Sequence, residues 1–488
     1  MKKNKNINEN KSKSEKKTNG MKKTWPAFVS KASYAMAISA VFLNVIIISD
    51  LLWPNESFHS AELGLLIGSS MFSTAFSGIF FGYLADKYSR KNLYVISVSL
   101  YGVGLILTGF IPIGLGNTSF YLFVAMLILQ GFFSGAFNPI ETSYINDIVG
   151  QSMRSKFYGS INAIFQLAQV VGMLFSSFLF QNLLWRQFYW ILGTLIVFEG
   201  ILIAFKITEP RRGIQQEELK EALNSPDIEY RYQLTKETVR TTIFRSTNIV
   251  AFIEGIFTTV LLAIPDFLLI AYISGPPHNI APFTMTIFML LTGLPGAIFG
   301  SLIFAKLSDR LAEKNYKFRV YLIISSIVGM FGLFLVIFIL PVPNFSSSEG
   351  KNIMLLFTNP EIIALGIMAF LAKMIITIYS INQPPILQKI NLPEAQGKIS
   401  SANQFLELIG SGLGPMIAGV LLINFNQNYQ LTVLVSVLIG MIGCMAWLFG
   451  ARSINRDIQR ISSILDNRAM ELKEKNQIAN ELSIITSR

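Results

Sequence analysis

The chain has 488 residues, 52% of them hydrophobic and only 14% charged, with a formal net charge of +11. Ordinary soluble domains are about 25% charged, so this composition cannot cover a water-soluble core and a membrane protein is expected. The basic excess sits in tails, turns and a linker, so no nucleic-acid partner is expected.

Residues 1–29 begin as a Lys/Asn/Ser tail with no apolar stretch, neither a signal peptide nor a packed element, and read as a disordered basic cytoplasmic tail drawn to anionic membrane lipids. Crossing a hydrocarbon core takes about 20 mostly apolar residues in a helix. Segments of that kind begin near Ser30, Glu62, Leu93, Ser119, Phe157 and Phe188, giving an N-terminal six-helix bundle over residues 30–207. Residues 208–245 mix both charge signs and read as a cytoplasmic connector. Six more segments begin near Asn248, Phe283, Phe318, Glu361, Ile399 and Tyr429, giving a second bundle over residues 246–450. Residues 451–488 place Ile454, Ile458, Ile461, Leu465, Ala469 and Leu472 at helical spacing among charges, the pattern of a cytoplasmic amphipathic helix on the membrane or against a partner. Lys and Arg crowd the tail, the even-numbered turns, the connector and the C-terminus, which puts both termini in the cytoplasm of a cell membrane.

The two halves resemble each other. GYLADKYSRKN (Gly82 to Asn92) and AKLSDRLAEKN (Ala305 to Asn315) each follow the second apolar segment of their half. Arg154 to Asn182 also lies without gaps on Gln396 to Asn424. Duplicated bundles around a central path are the usual build of a secondary transporter.

The first turn resembles the major facilitator superfamily motif G-x-L-x-D-[RK]-x-x-R-[RK], with Gly82, Asp86, Arg90 and Lys91 in place and Ser89 where the family usually has Gly. The second copy keeps Asp309 and Arg310. The resemblance implies an all-α fold of twelve transmembrane helices in two pseudo-symmetric six-helix bundles. It also implies that the motif locks the cytoplasmic gate in the outward-facing state; the residues themselves set Asp86 against a helix dipole of the other half and Arg90 against Asp147. WRQFYW (Trp185 to Trp190) and ITEPRRG (Ile207 to Gly213) are similar to the Spinster-like branch of lipid exporters, although Leu127 and Ser134 occupy the fourth-helix positions where that branch carries Arg and Glu.

Charges inside the spans need a partner or water. Glu254, Lys373 and Glu407 fall roughly 9–14 Å in from the cytoplasmic edge at 1.5 Å per residue, all in the second half. They read as one buried network in which a carboxylate takes up the coupling proton and Lys373 pairs with it or binds an anion. Glu141 reads as interfacial, and Asn44 as a polar group on the path. Pro265, Pro295, Pro384, Pro385 and Pro415 read as hinges.

Cys444 stands alone, His59 and His278 are in separate connections, and no phosphate loop, HExxH or nucleophile–base–metal set appears. No metal, cofactor or enzymatic activity is expected. The expected function is proton-coupled alternating-access transport of a small organic or amphipathic molecule by a monomer. An uncoupled facilitator and a lysolipid exporter of Spinster type are the alternatives, and a membrane sensor is the reading from another class.

Overall fold

A computed structural model describes residue 25 and residues 28–56, 58–148, 151–209 and 244–486. Most of the basic tail and of the connector lies outside these residues, as do the side chains of Asp86 and Asp147. Among the described residues every regular element is helical, and eleven helices are long and apolar enough to cross a membrane, or twelve with one bent pair counted as a span.

The N-terminal bundle comprises α1 (Phe28–Leu43 and Val45–Leu52), α2 (Ser60–Lys87), α3 (Arg90–Thr108), α4 (Asn117–Ser134, continued by Phe137–Ile148), α5 (Gln151–Gln181) and α6 (Trp185–Lys206). The C-terminal bundle comprises α7 (Ser246–Ser274), α8 (Pro282–Lys314), α9 (Lys317–Ile339), α10 (Pro360–Lys389), α11 (Pro393–Asn424) and α12 (Tyr429–Thr486). Burying every backbone group in its own helix is what lets such segments cross lipid.

The hinge expected from proline is not where the chain breaks. α7, α8, α10 and α11 each run on through their internal prolines as single helices. The sharp bend, 65°, falls in α1 at Asn44. There the backbone leaves helical geometry (φ −110°, ψ 22°), and the amide Nδ2 donates 2.8 Å back to the Ala40 carbonyl. A short amide side chain competes with the backbone for its own hydrogen bonds, so Asn interrupts helices where the surroundings permit.

The two bundles meet away from the basic turns. The first half of α2 lies on the last third of α11, where Ser60 Oγ donates 2.9 Å to the Gly419 carbonyl. At Gly64 the backbones touch: a Cβ there would stand 2.8 Å from the Pro415 carbonyl carbon and 3.1 Å from Met416 Cα. Such small-residue seams let membrane helices approach at backbone distance. Phe58 packs on Phe267 and Phe178 on Phe283 at the same end, and Phe76 meets Phe405 near mid-depth. The described contacts between bundles thus seal the end opposite the basic turns.

The C-terminal segment is no separate surface helix. α12 continues without a break through Gly450 to Thr486. Ile454 and Ile461 are buried in the hydrophobic core, and Asp457 is 2% exposed. Asp457 accepts a hydrogen bond from Thr247 N at 3.3 Å and another from the Thr247 hydroxyl, with Arg245 at 3.9 Å. The apolar seam through Leu465 is therefore covered by the chain itself.

Candidate functional site

Three pairs spaced i, i+4 build the polar centre of the second bundle, because that spacing puts both members on one helix face. They are Glu254 and Thr258 on α7, Tyr379 and Gln383 on α10, and Asn403 and Glu407 on α11. Gln383 Nε2 and Asn403 Nδ2 donate to Glu407 Oε1 at 2.9 and 2.7 Å. Gly255 makes room for this crossing, since a Cβ there would sit 3.3 Å from Glu407 Cγ. Glu254, one residue earlier, is 0% exposed. Its polar neighbours are the Thr258 and Tyr379 hydroxyls, the Trp447 indole N–H of α12 and the Glu407 carboxyl. None donates to it within hydrogen-bond distance. Two carboxyls thus lie close together, the partly buried Glu407 held by amides and the fully buried Glu254 without a cation among the described residues.

The expected third member lies elsewhere. Lys373 Nζ is 3.9 Å from Asp266 Oδ1, and both side chains are about half exposed, at 47% and 54%. Its stem lies over Gly293 of α8, whose added Cβ would meet Lys373 Cγ at 3.3 Å. Asn44 is fully buried at the bend of α1. Glu141 is 5% exposed and pairs at 3.3 Å with Lys31, whose Nζ also donates 2.6 Å to Asn138 Oδ1.

At the first duplicated turn, Ser89 caps α3 by accepting from Asn92 N at 3.3 Å. Glu209, from the segment after α6, crosses to the same helix start. It accepts from Arg90 N at 3.1 Å, Lys91 N at 2.8 Å and Ser89 Oγ at 2.7 Å. Partial burial pushes its carboxyl up, but these three hydrogen bonds and the Arg90 charge outweigh that and hold it below the ordinary carboxylate range. Arg90 is buried, and its Nη1 donates 3.3 Å to the Ser143 carbonyl. A Cβ at Gly82 would find Pro139 Cβ at 3.8 Å, ordinary contact, so this state does not use the close approach that glycine allows.

At the second turn Asp309 accepts 2.6 Å from Arg319 Nη2, while Arg319 Nη1 donates 3.1 Å to Asn382 Oδ1 and Asn382 Nδ2 donates 2.9 Å to Ser308 Oγ. Arg310 is exposed. Glu209, Arg319, Tyr379, Gln383 and Asn403 are thus the working partners of residues singled out from the sequence.

Between the bundles, an apolar cavity opens in the first half against α11. Tyr34, Phe42, Met71, Gln130 and Ser134 line it together with Leu408. Its few polar edges are partly tied up: Gln130 Nε2 donates 2.8 Å to Thr108 Oγ1, and Ser134 lies 3.3 Å from Thr74 Oγ1.

Twelve spans in two bundles around such a cavity define a multi-pass membrane transporter. The sequence profile described as Major Facilitator Superfamily matches residues 28–405, and the chain belongs to that family. Over 138 residues it is 29% identical to a triacylglyceride transporter of Mycobacterium tuberculosis, a match covering 27% of this chain and 26% of that protein. Over 121 residues it is 30% identical to multidrug resistance protein 3 of Bacillus subtilis, covering 24% of this chain and 22% of that one. These matches span about a quarter of the relatives' length. Among solved structures, a bacterial homologue of the human lysosomal transporter Spinster, inward-facing and occupied, superposes with a TM-score of 0.64 at 14% identity, covering 89% of this chain and 97% of that one. A D-xylose–proton symporter superposes at 0.58 with 15% identity, covering 88% and 96%. Both likenesses are of fold.

Proposed function

We propose that the protein is a proton-coupled secondary active transporter that moves a small organic or amphipathic molecule by alternating access. In this reading the N-terminal (30–207) and C-terminal (246–450) bundles rock about the cavity, and the basic end faces the cytoplasm of a cell membrane. The seal at the opposite end supports reading this as an inward-open state, of a carrier that works as a monomer among membrane lipids. Gly82, Asp86, Arg90, Lys91 and Asp147, with Asp309 and Arg310, close the cytoplasmic gate in the alternate state.

The observation that carries the reading is the Glu254–Glu407 pocket. Two neighbouring carboxyls withdrawn from bulk solvent are costly to keep ionised together, which suits the pair to taking up and releasing one proton. Tyr379, beside both carboxyls, is placed to pass that proton between them. Lys373 and Asp266, exposed and opposite in charge, present a polar anchor, and the N-terminal cavity presents the apolar surface an amphipathic cargo needs. The lipid-like cargo in the name of the mycobacterial relative is consistent with that cavity.

The test is reconstitution in liposomes loaded with a pH-sensitive dye, with a fluorescent lysophospholipid and ethidium as the two probes. A pH gradient is expected to drive accumulation of the transported probe. Glu254→Gln or Glu407→Gln is expected to abolish driven accumulation while leaving exchange intact. Full driven accumulation by both variants would overturn the coupling assignment.

A further inference from the structure

The N-terminal bundle holds a second buried acid outside the site described above. Glu199 sits in the last third of α6, within the apolar run IVFEGILIAF, and is 8% exposed. Its side chain turns toward α1, where the Ser33 hydroxyl donates to Oε1. Oε2 is buried and has no hydrogen-bond partner. Among the described residues no Lys, Arg or His lies at ion-pair distance.

The Tyr94 phenol interacts electrostatically with it, and the next charged groups form an ion pair of their own. On α1, Lys31 is committed to Glu141 at 3.3 Å and to Asn138 at 2.6 Å. On α4 that same Glu141 uses one oxygen for Lys31 and leaves Oε1 unbonded. On α3 the Tyr94 phenol interacts electrostatically with both Glu141 and Glu199. α5 contributes Phe165, whose ring lies under the Lys31 ammonium at 5.7 Å. The ammonium of that pair is committed to Glu141 and Asn138, and Glu199 has no cation at ion-pair distance among the described residues.

The placement repeats across the pseudo-symmetry. In the C-terminal bundle the acid without a cation, Glu254, lies in the seam between α7 and α12, beside Trp447 and Gly443. In the N-terminal bundle Glu199 lies in the equivalent seam between α1 and α6, contributed by the opposite helix. A carboxylate without a countercharge is not held ionised in such surroundings. It is neutral when dry and ionises only when water reaches it.

We propose that Glu199 is a second proton-binding site, so that the carrier loads a proton in each bundle. In the dry state its Oε2 holds the proton, while Ser33 donates to Oε1. Movement of α1 relative to α6 separates Ser33 from the acid and admits water, and the proton leaves to that water. This site stands apart from the Glu254–Glu407 pocket and fails or holds independently of it.

The measurement is pH-difference infrared spectroscopy of the full chain in lipid bilayers, reading the carbonyl stretch of protonated carboxyls. The wild type is expected to show bands from both bundles. Glu199→Gln removes one and keeps the band that Glu254→Gln removes. Should Glu199→Gln not fold, Ser33→Ala provides the second reading, because loss of the hydroxyl must shift the frequency of the Glu199 band and of no other. A Glu199→Gln titration superimposable on wild type, or a Ser33→Ala spectrum with no displaced band, overturns the proposal. Loss of the Glu254 band alone would leave the C-terminal site standing without it.

Discussion

Gly64→Ala probes the seal between α2 and α11 with a single methyl group. The new Cβ would stand 2.8 Å from the Pro415 carbonyl carbon, about 0.8 Å inside the ~3.6 Å of ordinary carbon–carbon contact. Both nearest neighbours, Pro415 and Met416, present backbone, so no side chain can rotate away. Relief requires the two bundles to part at this end. Overpacking of this kind costs about 1–3 kcal/mol, charged only to the state in which the seam is shut, which shifts the conformational equilibrium about 5- to 150-fold. Spin labels on cysteines placed at Tyr121 and Met354, exposed in opposite bundles at the sealed end, report the change. Cys444 is the chain's one cysteine and is buried, so it gives little background labelling. Pulsed electron–electron resonance is expected to show a longer-distance population growing in Gly64→Ala at unchanged helix content. An unaltered distance distribution in a protein of wild-type thermal stability would refute the claim that backbone contact at Gly64 holds this end shut.

Two further substitutions test how the bundle ends are fastened. Glu209→Gln removes the anion from the start of α3 and is expected to cost about 0.3–1 kcal/mol at low salt, shrinking as salt is added, read as a thermal-unfolding shift in detergent. Because the folded carboxyl titrates below its unfolded value of about 4.3, its stabilisation is present above that pH and lost as pH falls through the folded value, so the two melting curves should converge in acid. Asp457→Ala leaves the Thr247 amide buried with its acceptor gone, while the hydroxyl keeps Ser453 Oγ at 2.9 Å, an expected loss of about 1–3 kcal/mol. It should also speed proteolysis beyond Gly450, and unchanged cleavage would show that this clamp does not hold the helix extension.

Much of the architecture was legible because lipid imposes one rule on every span. Long apolar runs must be helices, and the duplicated turns at Gly82 and Ala305 mark corresponding points of two bundles. Depth was legible too: Glu254 and Glu407, placed at one level by counting residues, share a pocket. Rotation about the helix axis was harder to see. Lys373 lies at the same level, but six residues from Tyr379 at 3.6 per turn put it on another face of α10, where it meets Asp266 instead. Partners supplied from a distance left no local signal. Arg319 reaches Asp309 across a turn, and Glu209 reaches α3 over 118 residues of chain. Glu199 carries a signal that the search for charges at one common depth passes over, a lone acid with apolar neighbours on both sides. The prolines do not interrupt their helices, whereas Asn44 marks the break in α1 and bonds to its own backbone.

The unbroken α12 turns a hidden stroke into a visible one. Because Asp457 and Thr247 fasten it to the foot of α7, its length beyond Gly450 would move with the C-terminal bundle under the proposed alternating access. A few degrees of tilt inside the bilayer are thereby magnified at the tip, where a tethered fluorophore or a docked protein would sense each turnover without touching the cargo route.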